Sequence, residues 1–496
     1  MRRYPIAIVF AAGVAVTLAA VPSSGAPRGT GPLGFTSVAM TAGPSYGEPS
    51  LSWAPDGRHA IVCTPGGDAN KKGTVQYWYT SNAGKTWAHS ESTGPKGGGD
   101  CTVDFMPDGT AISADLEVTD SYLQRSTDWG KTWQAIGRAG QQQDRQWLAH
   151  SNNGGTEYLV YHDFAAEAEW FATGSYDKKS KTFTFAEQNC CNTAQSINQA
   201  SAPGIAGTQA TGGSASLIDE GGNTFSGPIL VDPSDQSGKR LYVIYSISDA
   251  QSNLNPQDGV PPYGPTRGVV VATSDDAGLT WTSHYAAAAS PNPDGSKESA
   301  MGAIFPWGSI DAAGNLYVVY NSTVGATGDH FHQYYVFSKD HGTTWSKPVK
   351  LDRLGLNTGA AIYATSDAAA PGQLAVAWYQ TDNGTPSSTS TQTTWTPHIA
   401  EITQATSGHP KIVEQPVTSI PNHRGGICLQ GILCGVGPGS PDRSLLDFFQ
   451  VKLNPKTGLA AIAYSDNGGF RRNEGKGVVV FAIQTRHPLK PASRRR

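Results

Sequence analysis

The sequence predicts an all-β chain folded as a β-propeller of four-stranded antiparallel blades, with seven blades favoured and six the alternative. Three observations predict it. An eight-residue box recurs four times: "TSNAGKTW" (Thr80–Trp87), "STDWGKTW" (Ser126–Trp133), "SDDAGLTW" (Ser274–Trp281) and "SKDHGTTW" (Ser338–Trp345). A second unit, apolar strand, turn, apolar strand, recurs seven times between and around the boxes. The composition agrees: 58 Gly and 32 Pro are too many turn formers for a helical chain, and 38% hydrophobic residues are too many for a disordered one.

The seven strand pairs are "PSLSWAPDGRHAIVCT", "CTVDFMPDGTAISAD", "QWLAHSNNGGTEYLVYHD", "GPILVDPSDQSGKRLYVIYS", "FPWGSIDAAGNLYVVYNS", "AIYATSDAAAPGQLAVAWYQ" and "LLDFFQVKLNPKTGLAAIAYSD". Each carries hairpin turn chemistry such as Asp-Gly or Gly-Gly. A third strand, such as "VQYWYTS" or "YYVFS", runs into a box, and a fourth follows the Trp. Four antiparallel strands repeated around a ring make a propeller. "GFTSVAMTAG", ahead of the first pair, is expected to be the outer strand of the last blade.

In each box the acid (Asn82, Asp128, Asp276, Asp340) is expected to accept hydrogen bonds from its own turn. The Gly admits a backbone that a Cβ would forbid. The Trp (Trp87, Trp133, Trp281, Trp345) is expected to bury its ring between neighbouring sheets. The box residues read as structural staples.

The termini bear on location. "MRRYP", the apolar run after it and "PSSGA" read as a secretory signal peptide over residues 1–26. The propeller is expected over 33–487 and a basic tail over 488–496. No second spanning run follows, so an exported protein without a membrane span is expected. With a net charge of −4 there is no footprint for nucleic acid. Six cysteines fit an oxidising compartment. Cys428 and Cys434 are expected to bridge within one Gly-rich loop, and an inter-repeat Cys63–Cys101 bridge is compatible with the repeats. Cys190 and Cys191 pair either with each other or elsewhere. No Cys/His cluster has zinc spacing.

The boxes resemble the Asp-box, or BNR repeat, of the sialidase-like propellers. The resemblance covers nearly the whole chain after the signal and implies a carbohydrate-active protein. It implies an arginine triad, a Tyr nucleophile with a Glu partner, and an Asp acid/base. The family's Phe/Tyr-Arg-Ile-Pro motif is absent; "YGEPSL" stands there, with Glu48 where a cation would meet a sialic acid carboxylate.

Polar residues leading into inner strands would line the mouth of the channel. Glu48, Asp100 and Asp144 are the candidate catalytic acids, because glycoside hydrolysis needs paired carboxylates. Arg145, His162, Asp163, Arg424, Arg443 and Asp447 are the candidate substrate-binding residues, the arginines because their forks bind carboxylates. Salt bridges between blades are the alternative for the two Asp-Arg pairs. Tyr363 is a nucleophile candidate by position only. No cofactor is required, although Glu48 and Asp100 could hold a structural calcium through oxygen ligands. The expected function is a glycoside hydrolase acting as a monomer on an extracellular glycan. The alternatives are a non-catalytic glycan- or protein-binding propeller and a polysaccharide lyase using His162 or a Tyr as base.

Overall fold

The computed structural model describes residues 31–492 apart from 42–46, 67–72, 97–98, 118–119, 141–142, 164–167, 181, 186–194, 197–221, 251–262, 289–300, 302–304, 324–329, 356–357, 430–441 and 468–476. The expected signal peptide, Cys190, Cys191 and Cys434 lie outside these residues. Among the described residues there is no helix, and the strands form seven antiparallel sheets, each with a four-stranded path.

Each expected strand pair is the inner half of one blade. The inner strands are Ser50–Trp53, Cys101–Phe105, Gln143–His150, Gly222–Val231, Trp307–Ile310, Ala360–Ala368 and Gln450–Leu453, for blades 1 to 7 in order. The seventh blade closes the ring. Its outer strand is Phe35–Ala39, from the other end of the chain, paired antiparallel with Val478–Gln484 from Phe35↔Gln484 to Ala39↔Val480. This is the place expected for "GFTSVAMTAG".

The four boxes turn between the third and fourth strands of blades 1, 2, 4 and 5. In the blade 5 box, Asp340 Oδ1 accepts from Ser338 Oγ at 2.8 Å and from the Thr344 N–H at 2.9 Å, and Thr344 Oγ1 donates to Oδ2 at 2.5 Å. Asp128 and Asp276 repeat the pattern, and Asn82 keeps it through its amide oxygen. The residue before each box Gly (Ala83, Trp129, Ala277, His341) and the Gly itself are left-handed. That Gly presses against the preceding blade: a Cβ on Gly278 would lie 2.1 Å from the Phe171 ring. Three of the box tryptophans reach the same neighbour, Trp87 on Phe481 at 4.8 Å, Trp133 on Tyr77 at 4.3 Å and Trp281 on Phe171 at 5.2 Å between ring centroids. The boxes are therefore inter-blade packing devices, and large apolar clusters continue that packing around the ring.

Candidate functional site

The strands of all seven blades surround a central cavity of about 130 Å³, with Ser50, Thr102, Leu148, Ile229, Ser309 and Ser366 among its lining residues. The end at which the inner strands begin is the mouth, and Glu48, Asp100 and Asp144 lie outside the lining of the cavity itself. Trp147 closes the channel beneath it, packed edge-on against Trp307 at 4.8 Å and Phe448 at 5.2 Å.

One backbone device recurs at this level. Glu48, Arg145, Phe305, Tyr363 and Leu446, from blades 1, 3, 5, 6 and 7, are non-glycine residues with φ of 56°, 38°, 53°, 56° and 54°. Glu48, Phe305 and Leu446 sit just ahead of an inner strand, and Arg145 and Tyr363 sit inside theirs at shifts of register. Such left-handed positions are costly for residues with a side chain and gather where a fold must aim a group. Nothing in local sequence marks them, because no Gly stands there.

The device brings four carboxyl groups and two guanidinium groups together. Glu48, 2% exposed, hydrogen-bonds to the Asp100 side chain, and its Oε1 accepts the Asp447 N–H at 3.0 Å. Asp447 pairs with Arg443 within one loop. Arg145 is wholly buried; its guanidinium lies 3.7 Å from the Trp147 ring centroid and 3.8 Å from that of Phe448. Its Nη1 donates to the Cys101 carbonyl at 3.0 Å. Asp144 accepts the Arg145 N–H at 3.0 Å and is half-buried.

Electrostatics follow from this crowding. Burial, then the charge of Asp100, pushes Glu48 well above the ordinary carboxylate range. Burial and Asp100 likewise raise Asp144 to about 7, against the opposing pull of His162. Asp447 is raised by burial despite its partner Arg443. Burial lowers Arg145 to about 10 although Asp100, Glu48 and Asp144 oppose this. For Arg443 burial also works downward, but Asp447 and Glu48 outweigh it and hold the guanidinium more firmly charged.

The remaining candidates fall outside the cluster or behind it. His162, cross-strand partner of Asp144, is 1% exposed, 3.5 Å from Glu169 and stacked near Phe225. Asp163 is 3% exposed on the same strand. Arg424 is exposed on a two-residue strand paired with Thr394 and makes no hydrogen bond to the acids among the described residues. Tyr363 is buried with its hydroxyl donating to the Cys428 carbonyl at 3.2 Å, and burial, then Asp447, pushes it well above its usual range. His423 is a buried loop anchor, bonded to Asn467 and the Gly426 carbonyl. The Cys63–Cys101 bridge is present and joins blade 1 to blade 2; Cys428 is also disulfide-bonded. Among the described residues no group of three His, Cys, Asp or Glu is placed to hold a metal ion. That includes Glu48 and Asp100, which use their carboxyl groups on each other. The aromatic floor of Trp147, Trp307 and Phe448 was not singled out from the sequence. Trp147 and Trp307 lie in inner strands and Phe448 lies two residues ahead of one.

The fold is a seven-bladed β-propeller with a largely buried cluster of acids and arginines where the inner strands begin. The chain is similar in structure to the polysaccharide lyase Uly1, at 10% identity over 94% of both chains with a TM-score of 0.52. It is also similar to a leech intramolecular trans-sialidase, at 11% identity over 90% of this chain and 68% of that one with a TM-score of 0.41. A Penicillium chrysogenum alpha-L-arabinanase matches at 13% identity over 77% and 92%, with a TM-score of 0.39. At these identities the likeness is one of fold. No family model matches the chain, and no curated protein matches it.

Proposed function

We propose that the chain is a secreted glycoside hydrolase acting on uncharged units of an extracellular glycan. One observation carries this reading: carboxyl groups from blades 1, 2, 3 and 7 converge on one mouth, and Asp144, half-buried there, is raised to about 7. A carboxylic acid that keeps its proton near neutral pH, beside a second carboxyl group, is what cleavage of a glycosidic bond requires. Asp144 would protonate the leaving oxygen. Asp100 would be the second carboxylate, and Glu48 would back it by a hydrogen bond from below.

The preference for uncharged sugar comes from the arginines. Arg443 is taken up by Asp447, and Arg145 is sealed between two aromatic rings. Neither is an open fork for a sialic acid or uronate carboxylate: Arg145 is wholly buried, and one Arg443 nitrogen is engaged by Asp447. A lyase would need a base at the mouth, and both of its candidates argue against it. His162 is buried behind Asp144, and Tyr363 is pushed away from the range in which a phenol gives up its proton.

The test is a panel of aryl glycosides covering neutral hexosides and pentosides, a sialoside and a uronide, with wild type and Asp144→Asn. Turnover of a neutral glycoside that is lost in a folded Asp144→Asn protein supports the reading. Cleavage of the sialoside or uronide alone overturns the neutral preference. Binding on a glycan array with no turnover by wild type turns the mouth into a recognition site.

A further inference from the structure

Cys63 and Cys101 are fully buried and bridged, with their Cα atoms 6.2 Å apart. Their placement relative to the acids is specific. Cys63 is the cross-strand partner of Ser50, two residues beyond Glu48. Cys101 directly follows Asp100. The two strand entries also touch, since the Val103 N–H donates to Ser50 Oγ at 3.4 Å. The bridge therefore ties together the short backbone stems from which Glu48 and Asp100 project.

Blade 3 is fastened to the same stem. The Cys101 carbonyl accepts from Arg145 Nη1 at 3.0 Å, and the Asp100 carbonyl accepts from Gln146 Nε2 and from the Leu116 N–H, both at 2.8 Å. Asp144 is thus held in step with Asp100 through Arg145.

This arrangement is under load. Glu48 is left-handed at φ 56°, and its carboxyl group meets Asp100 and Asp447, while Asp144 also feels the charge of Asp100. The facing cations, Arg145 and Arg443, are fewer than the acids. The Glu48–Asp100 contact needs a proton between the two carboxyl groups and holds only while the stems stay close, and a strained backbone persists only where its surroundings over-determine it. A covalent link at the stems supplies that determination where hydrogen bonds alone would let the entries separate.

We propose that the Cys63–Cys101 disulfide is a positioning element of the mouth, holding the Glu48 and Asp100 carboxyl groups in contact. Its purpose rests on the glycan-hydrolase reading. Its test does not, because the readout is protonation and not turnover.

The measurement is the pH dependence of unfolding free energy between pH 5 and 8, in a cycle of wild type, Glu48→Gln, Cys63→Ala/Cys101→Ala and the combination. A proton retained in the folded state makes stability fall as pH rises, so Glu48→Gln should flatten the wild-type slope by up to roughly one proton. With the bridge removed, the same substitution should flatten it by less than half as much. A merely structural bridge would lower stability at every pH and leave the Glu48→Gln effect intact, and that result overturns the proposal. A second reading needs no cysteine variant. The pH slopes of wild type and Glu48→Gln are compared again after a phosphine has reduced the bridge in native protein, and the Glu48→Gln effect should again be less than half as large. If the double cysteine variant does not fold, a Glu48→Gln effect that reduction of the bridge leaves unchanged is the result that overturns the proposal.

Discussion

The backbone N–H of Asp447 donates to Oε1 of Glu48 at 3.0 Å, joining residues 399 positions apart in the chain. Glu48 leads into blade 1 and Asp447 into blade 7. The contact is therefore part of ring closure, beside the pairing of Phe35–Ala39 with the last strand. It is also part of the acid cluster. Ring closure and the acid cluster share a residue, so substitutions at Glu48 should separate the two according to what they keep.

Glu48→Ala removes the acceptor and leaves the Asp447 N–H buried without it. The expected cost is about 1–3 kcal/mol. Glu48→Gln keeps an oxygen for that N–H and removes the ionisable group. The sign follows from the raised value: a carboxyl whose folded pKa lies above its unfolded one destabilises the fold once pH passes the unfolded value, and more so up to the folded value. Glu48→Gln should then be at least as stable as wild type at pH 8 and lose that advantage at pH 4. Denaturant titrations at the two pH values check this. A Gln variant as unstable as the Ala variant would mean that the acceptor is not what matters.

Asp144 sets the expected pH profile. Burial and Asp100 raise it to about 7, so the proton needed for leaving-group protonation is present below about pH 7 and lost above it. Turnover of a neutral glycoside should fall on the alkaline side with that midpoint. Asp144→Asn should reduce turnover by about 10²–10⁴-fold and abolish the alkaline limb. A profile flat from pH 5 to 9 in wild type would remove Asp144 from the acid role.

Much of the fold was legible in sequence because it is built from repeated local chemistry. Asp-Gly and Gly-Gly turns mark the inner hairpins, and four boxes mark outer turns. Blade 7 has no box for a topological reason. Its fourth strand arrives from the other end of the chain, so no turn joins its third and fourth strands. In blade 6 the equivalent corner, at Thr403–Ser407, uses left-handed Gln404 with no acid and no Trp. The acids of the mouth could be nominated because each precedes an apolar strand. Their roles could not be read. The left-handed turn at Glu48, Arg145 and Tyr363 is carried by ordinary residues. The stacking of Arg145 on Phe448 depends on blades 3 and 7 meeting across a narrow channel, which no local pattern encodes.

Arg145 should be less replaceable than a surface arginine. Its guanidinium fills the space between Trp147 and Phe448 and balances Asp100, Glu48 and Asp144. Arg145→Met keeps the stem but leaves buried acids short of a cation, with an expected loss of about 3–5 kcal/mol at pH 8. At pH 5, where the acids can take up protons, the loss should shrink. Arg145→Lys should be intermediate, because an ammonium group lacks the flat face that stacks on both rings. Thermal melts at the two pH values separate charge from packing: a loss equal at both would make packing the whole effect.

The boxes allow a control for everything said of the mouth. Asp340 is exposed and far in sequence from every mouth residue, yet it accepts three hydrogen bonds from Ser338 and Thr344 and orders the turn that sets Gly342 against blade 4. Asp340→Ala should cost about 1–2 kcal/mol, as loss of a local cap does elsewhere. Burial alone would raise this carboxyl, but the bonds from Thr344 and Ser338 outweigh it and hold it at about 2. A carboxyl lowered in the folded state stabilises the fold above its unfolded pKa, and that contribution is lost as pH falls from about 4 toward 2. The wild-type advantage over Asp340→Ala should therefore be constant from pH 8 to 5 and decline below pH 4. Glycan binding or turnover, measured well below the melting temperature, should be unchanged in the variant. An Asp340→Ala protein that melts like wild type but no longer acts on glycan would transfer function from the mouth to the boxes.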